Sequence, residues 1–280
     1  MTSTYEPNMV LATKTFDVVG TRPIRHDGAD KVTGKARYGA DYYTTGLLHG
    51  KWLRSPHAHA RIKSIDTSKA ESLPGVKAVV TGEDLPETPD GPAGERKVTL
   101  GEMSTDLKYL RDGILARDKV LFKGHPIAAV AATSPHVAEE AAELIEVDYE
   151  VLPPVLTAPD GMKDGAPIVH EDLETEELGK KTGKTSNVAE HFQHKLGDTE
   201  KGFAEADLIV EREFNTSTVH QGYIEPHNCT VDWNKDDRIY VWNSSQGPFN
   251  IRDATAQVLD LSLTQIKLTP MEIGGGFGGK

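Results

Sequence analysis

The sequence predicts an α+β fold in two regions, and three observations carry that expectation. One stretch reads strand–helix–strand: an apolar run over Pro126 to Ala132, a helical pattern opened by Ser134 and Pro135, and alternation through Val147, Tyr149 and Val151. Short apolar runs bounded by turn residues recur on both sides of it. A stretch rich in Pro, Gly, Asp, Glu and Lys, residues 153–195, divides the two regions. A strand–helix–strand unit among short strands implies a mixed sheet with helices on one side.

The elements follow in order. Residues 1–17 show little periodicity and read as an extended arm. The first region covers 18–155. His49 to Arg54 alternates as a strand does, and Ile62 to Ile65 and Val76 to Val80 are further short apolar runs, with Pro74-Gly75 marking a turn. Residues 86–105 are rich in Pro, Gly and charge and read as a surface loop. Ser134 before Pro135 is an N-cap followed by proline at the first helical position. Val137, Ala138, Ala141, Ala142, Leu144 and Ile145 then fall at helical spacing. Pro153-Pro154 stops the strand after it.

Residues 156–195 read as a linker, and 196–280 as the second region. Asp198 can cap a short helix containing Phe203 and Ala206. Leu208 to Phe214 alternates apolar and charged residues, the pattern of a half-buried strand. Thr230 to Trp233 and Ile239 to Trp242 form a hairpin across Asn234 to Arg238. Pro248 to Leu259 reads as a helix and Gln265 to Ile273 as a strand. No internal repeat is visible.

Composition narrows the function. The 280 residues carry a formal net charge of -12, which argues against nucleic acid or an anionic membrane as partner. The densest basic spot, Lys180-Lys181 with Lys184, lies beside the acidic Glu174 to Glu177 and reads as a solvated loop. The one cysteine, Cys229, excludes disulfides and multi-thiolate metal or iron–sulfur sites within the chain. It reads as a small buried hydrophobe. No signal peptide or membrane span is visible, so the expected location is the cytoplasm. The histidines 57, 59, 125, 220 and 227 have no ligand spacing among them and are expected to be structural.

The sequence closes on Gly274-Gly275-Gly276-Phe277-Gly278-Gly279-Lys280. Such a backbone takes positive φ readily and presents N–H groups to anions. Three readings stand on the loop alone. Gly274, Gly276 and Gly279 satisfy a dinucleotide-binding pattern; Gly274, Gly279 and Lys280 satisfy the first seven positions of a P-loop; a tight turn satisfies the composition equally well. Both motifs normally follow the first strand of their domain, and this loop follows several. A phosphate loop held at one end only is physically odd, so the chain is expected to be a fragment or one piece of a split subunit.

Several segments together carry a family resemblance. In order they are Asp30-Lys31-Val32-Thr33-Gly34-Lys35-Ala36-Arg37-Tyr38 with Asp41; Gly46 to Gly50 with Arg54 to Ile62; Leu73-Pro74-Gly75-Val76; and Gly124 to Val130 with Ala138 to Tyr149. Gln221 to His227, Ser245-Gln246-Gly247-Pro248-Phe249 and the glycine loop complete the series. This order resembles the molybdopterin-binding large subunits of xanthine dehydrogenase, aldehyde oxidase and aerobic carbon monoxide dehydrogenase.

The resemblance implies an α/β hammerhead domain over 18–155 and the beginning of a mixed α/β molybdenum-cofactor-binding domain over 196–280. It implies a molybdenum–molybdopterin cofactor, in its cytosine dinucleotide form, with the metal held by the cofactor itself. It implies a hydroxylase working with an iron–sulfur subunit carrying [2Fe–2S] centres and an FAD subunit. Gln246 matches the glutamine that hydrogen-bonds near the metal's oxo ligand, a task suited to an amide that donates without changing charge. Gly275, Gly276, Phe277 and Gly278 match the loop whose backbone lies against the metal–pterin unit, and Phe277 can shield that site from water. Glu225 with Pro226 matches a further motif, and Glu225 is expected to be structural. The family's base glutamate and substrate pocket are expected in the remaining C-terminal part, or on a second subunit. The substrate stays open among aldehydes, N-heterocycles, aromatic thioesters and similar small molecules. The competing expectations are a non-catalytic assembly module and a P-loop nucleotide-binding protein.

Overall fold

A computed structural model describes residues 16–88, 97–100 and 103–280. The expected arm over 1–17 lies almost wholly outside them. The first described elements are the short helix α1 (Gly28–Thr33), strands β1 (His49–Arg54) and β2 (Ala60–Asp66), helix α2 (Ser68–Ser72) and strand β3 (Val76–Thr81). Next come the hairpin β4 (Lys97–Leu100) and β5 (Met103–Asp106), helix α3 (Leu107–Ile114), strands β6 (Lys119–Val120) and β7 (Pro126–Ala132), helix α4 (Pro135–Glu143) and strand β8 (Glu146–Val151).

Two small antiparallel sheets organise this region, ordered β1-β7-β3 and β6-β2-β8. The middle strand β7 is pinned by its register, with Ala132 opposite both His49 and Val76. Its sequence, PIAAVAA, is mostly small residues, which lets α4 approach the sheet closely. Ala128, Val130 and Ala132 pack against Ala138, Ala141 and Ala142 of α4, all 5% exposed or less. Ile127 faces the second cluster, with Ala60, Ala116 and Val120. Full burial of such a side chain contributes roughly 1.5–3 kcal/mol. Helix α4 starts where the sequence places it: the Ser134 side chain accepts from the Val137 amide at 3.2 Å.

Two expectations change here. Residues 86–88 are irregular, but 97–100 and 103–105 of the expected 86–105 loop belong to the β4–β5 hairpin, whose Val98 is 2% exposed. Asp106 ends it by capping α3 through the Lys108 amide. Residues 89–96 and 101–102 lie outside the described residues. Helix α2 had no signal at all, because five residues are too few for an apolar period.

The expected linker also holds structure: α5 (Ala158–Gly161) and strands β9 (Glu174–Glu177), β10 (Lys180–Thr185) and β11 (Glu190–His191), ordered β10-β9-β11. The basic spot is half of a hairpin, not a solvated loop. Lys180 stands opposite Glu177 and Lys181 opposite Glu176, so unlike charges pair across the strands. Leu178 and Gly179 turn between them, both at positive φ (48° and 79°), as a two-residue hairpin turn requires.

The C-terminal region contains α6 (Thr199–Glu205), capped by Asp198 through the Lys201 amide at 3.0 Å. After it come β12 (Cys229–Trp233), β13 (Ile239–Asn243), helix α7 (Pro248–Val258) and β14 (Ile266–Pro270). β12 pairs antiparallel with β13, and β13 pairs parallel with β14 across α7. Ile239, Val241, Ala256 and Ile266 form the core between helix and sheet. The strand expected through Ile273 ends at Pro270. Leu208 to Phe214 is not a strand, and Leu208, Val210 and Phe214 are 79%, 67% and 86% exposed. The alternation is broken in the sequence itself, because Ile209 is apolar and Arg212 falls in phase with Leu208, Val210 and Phe214, and among the described residues no strand lies beside the segment to take its backbone hydrogen bonds.

Two joints tie the regions together. Arg111 on α3, 3% exposed, donates to the carbonyls of Val258 (3.0 Å) and Gln257 (3.1 Å) at the end of α7, where the last carbonyls lack a full set of helical partners and the helix dipole favours a cation. The segment 28–43 lies on the C-terminal sheet: Glu272 donates its amide to Arg37 at 3.0 Å, Lys31 pairs with Glu272, and Tyr42 stacks on Trp242.

Candidate functional site

Gln246 stands in the turn between β13 and α7. The turn is set by its neighbours. Ser245 is buried and its hydroxyl accepts from the Gly247 amide at 3.1 Å, and Pro248 opens the helix. Gln246 is exposed, and its side-chain amide makes no hydrogen bond to any described residue. Its donor and acceptor are therefore available to a ligand.

The glycine loop follows β14. Gly275 and Gly278 take φ of +100° and +88°, and Phe277, at +47°, is a left-handed non-glycine residue. A Cβ on Gly274 would lie 2.5 Å from Cβ of Glu225, and one on Gly279 would lie 2.9 Å from the Tyr223 ring. These two positions need glycine for close approach, the other two for conformation. The Gly279 amide closes the turn on the Gly276 carbonyl at 2.7 Å. Among the described residues, none accepts from the amides of Gly275, Gly276, Phe277 or Gly278. Four neighbouring unpaired donors suit an acceptor-rich ligand. Phe277 is 78% exposed and covers no site among the described residues.

Glu225 joins the two loops. One carboxylate oxygen accepts from the Gly274 amide (2.7 Å) and the Lys280 ammonium (2.6 Å); the other accepts from the Ser244 hydroxyl (2.7 Å). Burial alone would raise this carboxyl, but the Lys280, Gly274 and Ser244 hydrogen bonds together hold it below its ordinary value. Lys280 also donates to the Glu225 carbonyl at 2.7 Å, and its side chain is 1% exposed. The ammonium is thus turned inward, away from any ligand on the loop. A P-loop lysine must reach phosphates, so this geometry removes that reading.

The histidines hold structure. His125 is fully buried, with Nε2 2.7 Å from the Asp112 carbonyl and Nδ1 accepting from the Leu121 amide at 3.2 Å. His59 bonds the Pro153 carbonyl through Nδ1 at 2.8 Å, and His227 bonds the Tyr223 hydroxyl at 2.6 Å. His220 accepts from the Gly222 amide at 3.0 Å, and His57 meets the edge of Tyr149. Cys229 corrects its expectation: it is exposed, at the end of the edge strand β12. Desolvation by nearby chain still raises its thiol, which disfavours a nucleophilic thiolate. Among the described residues no group of three or more His, Cys, Asp or Glu side chains is placed to hold a metal. A cavity of about 600 Å³ is lined by Val155, Leu156, Met162 and Leu173 among others, none of them in these loops.

Comparison with known proteins places both regions. Residues 33–153 match the a/b hammerhead domain of aldehyde oxidase and xanthine dehydrogenase, and residues 181–280 match the molybdopterin cofactor-binding domain. The carbon monoxide dehydrogenase large chain of Afipia carboxidovorans is 34% identical over 99% of this chain and 33% of its own length. A probable hypoxanthine oxidase of Escherichia coli O157:H7 is 33% identical over 95% of this chain and 29% of its own. The solved carbon monoxide dehydrogenase of Oligotropha carboxidovorans superposes with a TM-score of 0.74 at 34% identity, covering 93% of this chain and 32% of that one. The chain belongs to the molybdopterin-binding large-subunit family of xanthine dehydrogenase, aldehyde oxidase and carbon monoxide dehydrogenase. It spans about a third of the length of these curated relatives.

Proposed function

We propose that this chain supplies one wall of the cofactor site in a molybdenum hydroxylase. The observation that carries the reading is the junction at Glu225, which holds the glycine loop and the Gln246 turn on one carboxylate. The unpaired amides of Gly275, Gly276, Phe277 and Gly278 would bind the metal–pterin unit through its acceptors. Gln246 would donate its side-chain amide to the oxo ligand, a fixed neutral donor of the kind that stabilises developing negative charge. The dinucleotide form of the pterin is the cytosine one. When bound, such a cofactor supplies a two-electron redox centre.

The substrate on this reading is a small molecule with an electron-poor carbon: an aldehyde, an N-heterocycle, an aromatic thioester or a relative of these, oxidised with oxygen from water. The base that activates that water comes from the rest of the subunit, either the remaining C-terminal part or a split second subunit. [2Fe–2S] and FAD subunits carry the electrons away, and the complex works in the cytoplasm. No helix among the described residues is long and apolar enough to cross a membrane.

The test is elemental analysis of the native complex containing this chain, made with molybdenum supplied. About one molybdenum per copy is expected, as for one cofactor per site. A metal-free complex would move the function to an assembly module.

A further inference from the structure

A loop of five glycines among six residues is the most conformationally free backbone a chain can present. Holding its amides in one geometry requires anchors outside the loop. Here both ends are anchored on the same carboxylate: Gly274 through its amide at 2.7 Å and Lys280 through its ammonium at 2.6 Å. The other oxygen of that carboxylate holds Ser244 at 2.7 Å, two residues before Gln246. Ser244 in turn accepts from the Gly39 amide at 3.0 Å, which ties the junction to the N-terminal segment.

We infer that Glu225 and Lys280 are a positioning pair that fixes the spacing between the glycine-loop amides and the Gln246 turn. The inference rests on the cofactor reading above for the identity of what is positioned. The chemistry of the pair argues for geometry over stability. A buried ion pair contributes little net stability compared with apolar side chains of the same volume. A carboxylate, however, accepts several directional bonds at once, so one side chain can orient two loops. The packing agrees, since Gly274 and Gly279 leave no room for a Cβ against Glu225 and Tyr223. Lys280 lies over the Tyr223 ring at 5.0 Å, which further limits its direction.

The complex, made with molybdenum supplied, tests the pair. Glu225→Gln alone would leave the Lys280 charge buried without a partner and could unfold the loop. The double variant Glu225→Gln/Lys280→Met removes both charges and keeps the volumes. Lys31→Met is the control, because it breaks the Lys31–Glu272 pair on the same sheet edge without touching the loop. Expected for the double variant are hydrogen exchange over residues 274–280 and loss of molybdenum on gel filtration, each faster by about tenfold or more, the scale of losing a charge-assisted hydrogen bond. The Mo(V) electron paramagnetic resonance spectrum should shift, while exchange in β13 and the control variant match the wild type. Wild-type loop exchange in the double variant overturns the pair. So does faster loop exchange with unchanged molybdenum retention and an unchanged spectrum. A wild-type complex without molybdenum sinks the cofactor reading and what this inference says of the cofactor; exchange of the Gly274 and Gly279 amides, the two that are paired within the chain, then decides the clamp by itself.

Discussion

Tyr42 and Trp242 stack face to face, with ring centroids 3.7 Å apart and planes 14° from parallel. They are 200 residues apart in sequence. Trp242 stands on β13, one residue before the Asn243 that ends the strand, and Tyr42 follows a single helical turn at Gly39–Asp41. Together with the Gly39–Ser244 bond and the Tyr38–Glu272 bridge, the stack fastens the chain ahead of β1 to the C-terminal sheet. The loop carrying Gln246 is therefore braced from the N-terminal side as well as by its own strand.

A double-mutant cycle with Tyr42→Ala and Trp242→Leu should show that brace. Stacked aromatic pairs contribute about 0.5–1.5 kcal/mol beyond the area they bury. Urea unfolding of the four proteins should give a coupling of about 1 kcal/mol. Hydrogen exchange over residues 28–43 should quicken in either single variant. Additive effects, with no coupling, would show the stack to be incidental.

His125 predicts a pH dependence. Burial in a fully enclosed site lowers its pKa from the ordinary 6.5, and its ring already bonds the Asp112 carbonyl and the Leu121 amide as the neutral form. The folded protein thus binds this proton less readily than the unfolded chain. Stability should be constant above about pH 6.5 and fall as pH drops below it, where the unfolded state gains the proton. His170 is lowered by burial too, so His125→Gln should remove only part of the slope. The Asp112 carboxyl, raised by burial from 3.8, has the opposite sign. Unfolding midpoints from pH 5 to 8 for wild type and His125→Gln check this; equal slopes would show that His125 takes up its proton without cost.

The parts of the fold that could be read from sequence are those fixed by neighbours in the chain. Ser134 caps α4 because its hydroxyl meets the Val137 amide three residues on, and the apolar spacing behind it packs directly on β7. The β12–β13 hairpin is local in the same sense. The β9–β10 hairpin escaped because its signal is charge pairing across strands, and because Leu178 at its turn is a residue that rarely adopts positive φ. Cys229 reads as buried on residue type alone, whereas its exposure follows from the edge position of β12. In the site, the glycine loop and Gln246 were visible as motifs. The junction between them was not, since Glu225 meets residues 19, 49 and 55 positions away, and no local period records such bonds.

Gln246→Leu in the assembled complex should separate binding from chemistry. The side chain has no partner among the described residues, and it lies outside the Glu225 network, so folding and most of the cofactor content should survive. Turnover should fall by about a hundredfold, the usual consequence of removing one donor from a site of developing charge. Elemental analysis and steady-state rates measure the two separately. Unchanged turnover would show that Gln246 does not face the reacting centre, and loss of the metal would make it a cofactor anchor instead.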